Sequence, residues 1–321
     1  MSPMQTPSTK SICGFKVLKQ QQGAALLLFA VLLLVVSTTA FFTYFDSAQF
    51  RKLQDNKTAE VLVIAKEALM GRALTDLERP GSLPCPDNTG NGSSELFAGN
   101  HCPSYVGWFP WRTLGTGELL DGNGDRLWYA LSRNHRDHPS AQPLNMDTIG
   151  SLSLDGVGDH VAIIFSPGMP MNGQNRPSNQ VQHYLDGENA NGDDLYTRLI
   201  QANLNDRTLT ITRGEIMQKV AMRLLGTVKG SELEGLLAYY ATAGEIRYPF
   251  ADANGDGYAE EDALNGIPSY QGHADASLMF SPTTLTMLGN NEWLPLIEYQ
   301  VTADGQQVTL ALGGQVLVVT P

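Results

Sequence analysis

The feature that constrains this chain most is an uninterrupted apolar run near its N-terminus. From Ala24 to Phe45 the sequence reads AALLLFAVLLLVVSTTAFFTYF, 22 residues without a charge. As a helix rising ~1.5 Å per residue it spans ~33 Å, enough for the hydrocarbon core of a bilayer. A buried core helix fits poorly, because the run is apolar all round. A cleaved secretory signal stays open, with Ser37-Thr38-Thr39-Ala40 as a small-residue cleavage site. Lys16 and Lys19 precede the run, so the positive-inside rule places the N-terminus in the cytoplasm and everything after Phe45 outside.

The residues after the run bear on the choice. The segment DSAQFRKLQDNKTAEVLVIAKEALMGRAL has no Pro, and its only Gly is Gly71. Leu53, Val61, Ile64, Ala65, Ala68 and Leu69 recur at helical spacing. The pattern predicts one helix that leaves the membrane and runs on to about residue 75, with an amphipathic outer half lying on a globular domain. A signal peptide predicts no such continuation.

The stretch KQQQGAALLLFAVLLLVV resembles the N-terminus of type IV pilins and type II secretion pseudopilins. In that family a prepilin peptidase cuts on the cytoplasmic side, after a Gly that follows basic residues. The resemblance makes Gly23 that residue and Ala24 the first of the mature chain. Two positions depart from the pattern: the common Phe at the first mature position is Ala24, and the common Glu at the fifth is Leu28. Subunits without that Glu are similar to tip pseudopilins and some minor pilins, so the departure points away from a major fibre subunit. An unpaired carboxylate in lipid is costly, and a subunit with no neighbour above it gains nothing by keeping one. The segments RPGSLPCPD, GWFPWRTLG, LWYALS, VAIIFSPG and YLDGEN further resemble large pilin-like proteins of Gram-negative bacteria, over roughly residues 15–195. That likeness does not reach the C-terminal third and implies no activity.

Charge and cysteine usage agree with a split between compartments. The net charge is −12; without residues 1–23, which hold Lys10, Lys16, Lys19 and no acid, it is −15. An acidic body argues against nucleic acid, whose phosphates need clustered Lys and Arg. Cys13 falls in the leader. Cys85 and Cys102, 17 positions apart, are then a pair for an oxidising compartment. Closing that loop stabilises by ~3 kcal/mol in the chain-entropy treatment. A zinc site is the weaker reading, with only His101 and Asp87 nearby.

Several elements are legible in the body. Residues 160–166 (HVAIIFS) read as a buried strand, and 207–212 (RTLTIT) alternate like one. Thr212-Arg-Gly-Glu215 and Ser231-Glu-Leu-Glu234 match capping boxes, predicting helices that end at Gly230 and Gly244. The C-terminus reads as strands separated by turns at Asp304-Gly305 and Gly313-Gly314. Trp108, Phe109, Trp111, Trp128 and Tyr129 suggest a core where the long helix meets a sheet.

The sharpest chemical signal is Asp252-Ala-Asn254-Gly-Asp256-Gly257-Tyr258-Ala-Glu260, which follows the calcium-loop pattern D-x-N-x-D-G. Oxygens at alternate positions can converge on a hard cation, Gly257 permits the sharp turn, and Tyr258 offers its carbonyl. The misfit is Ala263 at position twelve, where Glu261 or Asp262 can substitute outside an EF-hand. A solvated Asp/Asn/Gly turn is the competing reading. Asp121-Gly-Asn123-Gly-Asp125 repeats half the pattern and favours a plain turn. No G-x-S-x-G, H-E-x-x-H or phosphate-binding loop occurs. His135 and His138 read as residues of an exposed loop, and Asp159 beside His160 is adjacency rather than a dyad.

The expected fold is α+β: a long N-terminal helix on an antiparallel sheet, with a large loop-rich insertion. The expected parts are a leader (1–23), a membrane span (24–45), a periplasmic helix (46–78) and a globular domain (79–321). The expected role is structural rather than enzymatic, as a minor or tip subunit of a pilus or pseudopilus. It implies other pilin subunits, the inner-membrane assembly platform and prepilin peptidase as partners. A membrane-tethered binding module or adhesin, or a tethered periplasmic hydrolase, is the alternative.

Overall fold

The computed structural model describes residues 21–138, 142–199, 204–242, 246–271 and 278–321, and their side chains except at 21–22 and 42–47. The chain divides after Leu53 into two compact units. The described part of the first is helical and belongs to α1 (Gln21–Thr75). Its Gly23–Phe41 stretch is long and apolar enough to cross a membrane, and none of it is buried. The few hydroxyls there turn back on the helix. Ser37 donates to the carbonyl of Leu34 at 3.1 Å, Thr38 to Leu34 at 2.7 Å and Thr39 to Val35 at 2.8 Å. Such back-bonding leaves no donor seeking water in an apolar medium.

The second unit begins with the outer part of α1, which buries Val61, Leu62, Ala65, Leu69, Met70 and Ala73 along one stripe. Of the residues the periodicity singled out, Val61, Ala65 and Leu69 lie on this stripe and Ala68 packs at its border. Leu53 and Ile64 are exposed instead, and Leu62, Met70 and Ala73 complete the face. Full burial of each large apolar side chain contributes ~1.5–3 kcal/mol. The helix stops at Thr75, as its pattern predicts, three residues before the boundary at 78 expected for the periplasmic helical part. There Asp76 turns its carboxylate to the N–H groups of Glu78 and Arg79 at 2.9 and 2.6 Å.

The next strands and helices along the chain are β1 (Val106–Trp108), α2 (Trp111–Leu114), β2 (Trp128–Leu131), β3 (Leu152–Leu154), β4 (Val157–Ser166), β5 (Leu195–Tyr196) and β6 (Arg207–Thr212). They form a six-stranded sheet of order β1-β2-β4-β3-β5, with β6 also on β4. The sheet is mixed rather than purely antiparallel, because β3 and β5 run parallel. The alternation of β-structure sorts its side chains into two cores. Tyr129, Leu131, Ala162 and Ile164 face the stripe of α1, whereas Trp128, Ala130, Ile163 and Phe165 face the other way. The expected aromatic cluster is therefore divided. Phe109 and Tyr129 join the helix side. Trp108 and Trp128 pack with Tyr184 on the far side, under the insertion between β4 and β6.

The remaining elements are α3 (Arg213–Lys229), α4 (Gly235–Thr242), β7 (Asn265–Gly266), α5 (Pro282–Asn290), β8 (Glu298–Val301), β9 (Val308–Leu312) and β10 (Gln315–Val319). A second, antiparallel sheet has the order β10-β9-β8-β7. The capping box of α3 forms as the sequence predicts: Thr212 Oγ1 accepts the Glu215 N–H at 3.2 Å, and Glu215 accepts the Thr212 N–H at 2.9 Å. The second predicted box does not form. Glu234 instead reaches across to α5, accepting from Ser281 N–H at 3.0 Å and Thr284 Oγ1 at 3.1 Å. The predicted end of α4 at Gly244 lies outside the described residues. Cys85 and Cys102 are joined in a disulfide with Cα atoms 5.6 Å apart, buried against the helix-side core.

Candidate functional site

Three turns rich in Asp, Asn and Gly among the described residues are built on one device: a buried Asp whose carboxylate gathers the N–H groups of the residues after it. Asp87 accepts from Thr89 at 2.9 Å, Gly90 at 2.8 Å and Gly92 at 2.6 Å. Asp121 accepts from Asn123 and Asp125 at 2.8 and 3.0 Å. Asp252 accepts from Gly255 and Gly257 at 2.6 and 2.7 Å. A carboxylate bound by two or three N–H groups is compensated for its burial without a counter-ion.

The turns differ in what else they carry. At Asp121 the second oxygen accepts from Ser166 Oγ of β4 at 2.7 Å. Gly122 lies so close to α1 that an added Cβ would stand 2.1 Å from the Gln54 carbonyl, and its N–H donates to Thr58 Oγ1 at 3.0 Å. This turn is a structural clasp between sheet and helix, in keeping with the plain turn its sequence favours.

At Asp252 two further carboxylates approach. Asp252, Asp256 and Glu260 bring one oxygen each to within 4.8 Å of one another. Among the described residues no ion pair reaches any of the three. Glu260 accepts the Ala253 N–H and the Asn254 Nδ2–H, each at 2.5 Å. Asn254 Oδ1 accepts the Asp256 N–H at 2.9 Å, so it is the amide nitrogen of Asn254 that faces the acids. Asp256 Oδ1 accepts the Tyr258 N–H at 2.9 Å, and the Tyr258 ring is half exposed. Glu260, rather than Glu261 or Asp262, supplies the third carboxylate. Gly257 holds φ +93°, and a Cβ there would meet Gln271 at 2.7 Å, which is why this place in the turn takes Gly. Oxygens of this kind suit a hard cation.

The histidines fall differently from expectation. His135 is not on an exposed loop: it is fully buried, with Ser132 Oγ 3.3 Å from Nδ1, and burial pushes it down to about 3. Ser132 and His135 have a hydrogen-bonded pair's geometry, but both are sealed from solvent, where no substrate reaches them. His138 stacks edge-on with Phe97. Asp159 binds Arg213 at 2.8 Å and the Gly150 N–H at 2.9 Å rather than orienting His160. Gly23 and Ala24 lie exposed at the start of α1.

Arg176 carries no signal in the sequence, where it is a lone cation in the polar stretch NGQNRPSNQ. In the fold it organises the insertion. Its guanidinium donates to Asp125 at 2.6 Å, to Gln174 and the Gly168 carbonyl at 2.7 Å, and to the His183 carbonyl at 2.8 Å, and it lies over the Tyr184 ring. Beside it, Asp186 and Asp206 are both buried. Burial raises Asp186 and pushes Asp206 up to about 7.

No family model matches this chain, and no curated protein or solved structure matches it either.

Proposed function

We propose that this chain is a minor or tip subunit of a type IV pilus or type II secretion pseudopilus, anchored in the inner membrane with its globular unit in the periplasm. One observation carries the reading. A single helix begins with a fully exposed apolar stretch, Gly23–Phe41, and ends with the stripe Val61–Ala73 buried in an α+β unit. The pilin-like sequence at Gly23-Ala24 and the lysines before it support a cytoplasmic N-terminus and processing by prepilin peptidase. The disulfide suits an oxidising compartment. Leu28, in place of the family's Glu, supports a tip or minor position among other pilin subunits and the assembly platform. The role is structural rather than catalytic. In the same reading a calcium ion at Asp252, Asp256 and Glu260, with the Tyr258 carbonyl, would stiffen the C-terminal part, and Asn254 would join only by turning its amide over, since its nitrogen faces the acids.

A second reading, a membrane-tethered binding module, is favoured by the insertion between β4 and β6, which Arg176 holds in one arrangement. N-terminal sequencing of the membrane-bound protein, made with and without prepilin peptidase, tests the first reading. A mature start at Ala24 that depends on the peptidase is expected. A start at Phe41, or no cleavage in either strain, overturns it.

A further inference from the structure

We propose that β10 is an interaction edge and that its partner is β10 of a second copy of this chain, paired antiparallel about a twofold axis at Leu317. β10 is the last strand of the second sheet and has β9 on one side only. Among the described residues no backbone–backbone hydrogen bond joins Gln315–Val319 to anything but β9. Open strand edges invite another strand, and natural sheets guard them with charge, proline, bulges or short length. β1, β5 and β7 are two or three residues long, and β6 carries Arg207 and alternating threonines. β10 has none of these guards. It is five residues, QVLVV, without charge or proline, and its register runs unbroken from Gln315 opposite Leu312 to Val319 opposite Val308.

The turn before β10 fixes which of its groups are free. Gly313 and Gly314 hold φ +56° and +80°, the two left-handed residues of a tight hairpin turn. In such a turn the Gln315 N–H donates to the Leu312 carbonyl, so Gln315, Leu317 and Val319 direct their backbone groups to β9. Val316 and Val318 direct theirs to the open edge. These two residues are 58% and 51% exposed, while Leu317 packs on the helix-side core.

This pattern is complementary to itself. With Leu317 on the axis, Val316 stands opposite Val318 of the second copy and Val318 opposite its Val316, and each pair exchanges both N–H···O bonds. Every open backbone group of both strands is then satisfied. Valine meets valine on one face and leucine meets leucine on the other, favourable cross-strand pairs. No charge lies on the strand to meet its like across the axis. A strand of another sequence has to find this match; a second copy carries it by symmetry. The contact is small, five residues a side against roughly 20–30 in a standard interface, so the dimer is weak in dilute solution and grows with concentration. Two copies of net charge −12 repel, so the dimer also tightens as salt rises.

The test uses the full chain purified in detergent, with Cys13→Ser as background. Sedimentation at rising concentration is expected to show a monomer–dimer equilibrium. Val318→Pro removes an N–H that β9 does not use, so the hairpin is kept. The axis repeats the loss, and the dimer is expected to weaken by roughly tenfold or more. Val318→Thr keeps the N–H and the branched shape and is expected to dimerise nearly as well as wild type. Leu317→Cys places two thiols opposite each other on the axis, with Cα atoms ~4.5 Å apart, and mild oxidation is expected to link them. Val316→Cys lies diagonally from its own counterpart, at ~7–8 Å, and is not expected to link to itself. The two thiol variants decide the matter if Val318→Pro does not fold. Association that Val318→Pro leaves unchanged belongs to the apolar helices in the micelle and overturns the proposal. Failure of Leu317→Cys to link, or equal linking at 316 and 317, overturns it as well and leaves the edge to a strand of another protein.

Discussion

Replacing Asp206 with Asn tests how the polar centre of the insertion holds its charge. Oδ2 of Asp206 accepts the Asp186 N–H and the Asn189 amide, both at 2.9 Å, while Oδ1 is buried without a partner. Burial is the largest influence and raises the carboxyl from 3.8 to about 7; the two N–H donors and Arg176 oppose it, and the Asp186 carboxylate adds to it. A carboxyl raised on folding takes up a proton more readily in the native state. Its contribution to stability is therefore complete below pH 3.8 and is lost as the pH rises through about 7. At ~1.36 kcal/mol per pH unit, that interval corresponds to roughly 4 kcal/mol as an upper figure. Asn keeps the shape, leaves an oxygen for both donors and cannot ionise. Urea unfolding of the detergent-purified protein, followed by tryptophan fluorescence between about pH 4.5 and 8, measures the effect. Wild type should lose about 2–4 kcal/mol more than Asp206→Asn over that range. Profiles that run parallel to within ~0.5 kcal/mol would show that Asp206 is solvated and already charged near the acid end of the range, and the reasoning would fail.

Other outcomes rest on the same kind of reasoning. Replacing both Cys85 and Cys102 with Ser should destabilise by ~3 kcal/mol, read as a lower denaturant midpoint, and the wild-type pair should resist alkylation until reduced. Asp121→Ala should cost roughly 2–3 kcal/mol, because it strands Ser166 Oγ and unties the turn from α1, whereas Asp121→Asn should cost less; urea midpoints compare the two. Calcium at about a hundred times its Kd should stabilise by ~2.7 kcal/mol, and Asp256→Ala should remove most of that gain. Identical melting in chelator and in millimolar calcium would leave residues 252–260 as a solvated turn.

The elements that sequence foretold are those whose determinants are local. The membrane-length run, the strand Arg207–Thr212, the Thr212 capping box and the C-terminal strands can each be recognised from neighbouring residues alone. What it misplaced depends on partners far along the chain. Ser231-Glu-Leu-Glu234 has the letters of a capping box, but the carboxylate of Glu234 finds better donors at the start of α5, 47 residues later. His135 looks exposed among polar neighbours, yet it is buried where its carbonyl accepts the Leu83 N–H, a partner 52 positions earlier that local sequence does not reveal. Trp108 and Phe109 go to opposite sides of the sheet for a simple reason: successive residues of an extended segment point opposite ways. Within the candidate site, Asp252 and Asp256 are legible from their spacing. The turning of Asn254 is not, since spacing does not say which end of an amide faces the acids.

The pairing of α1 with α3 also sets an order of events during synthesis. Lys66 meets Glu215 at a separation of 149 residues, and the Asp76 carbonyl meets Arg223 at 147. At ~5–20 residues per second, a ribosome takes roughly 7–30 s to make that distance. For that interval the stripe from Val61 to Ala73 has been made and α3, whose Ile216, Val220 and Leu224 share its core, has not. Over that interval the apolar side chains of the stripe need another cover, such as a chaperone. Chains cut short before Lys229 would never complete that core. They should be cleared or aggregate, with no stable folded form of the second unit shorter than α3 allows.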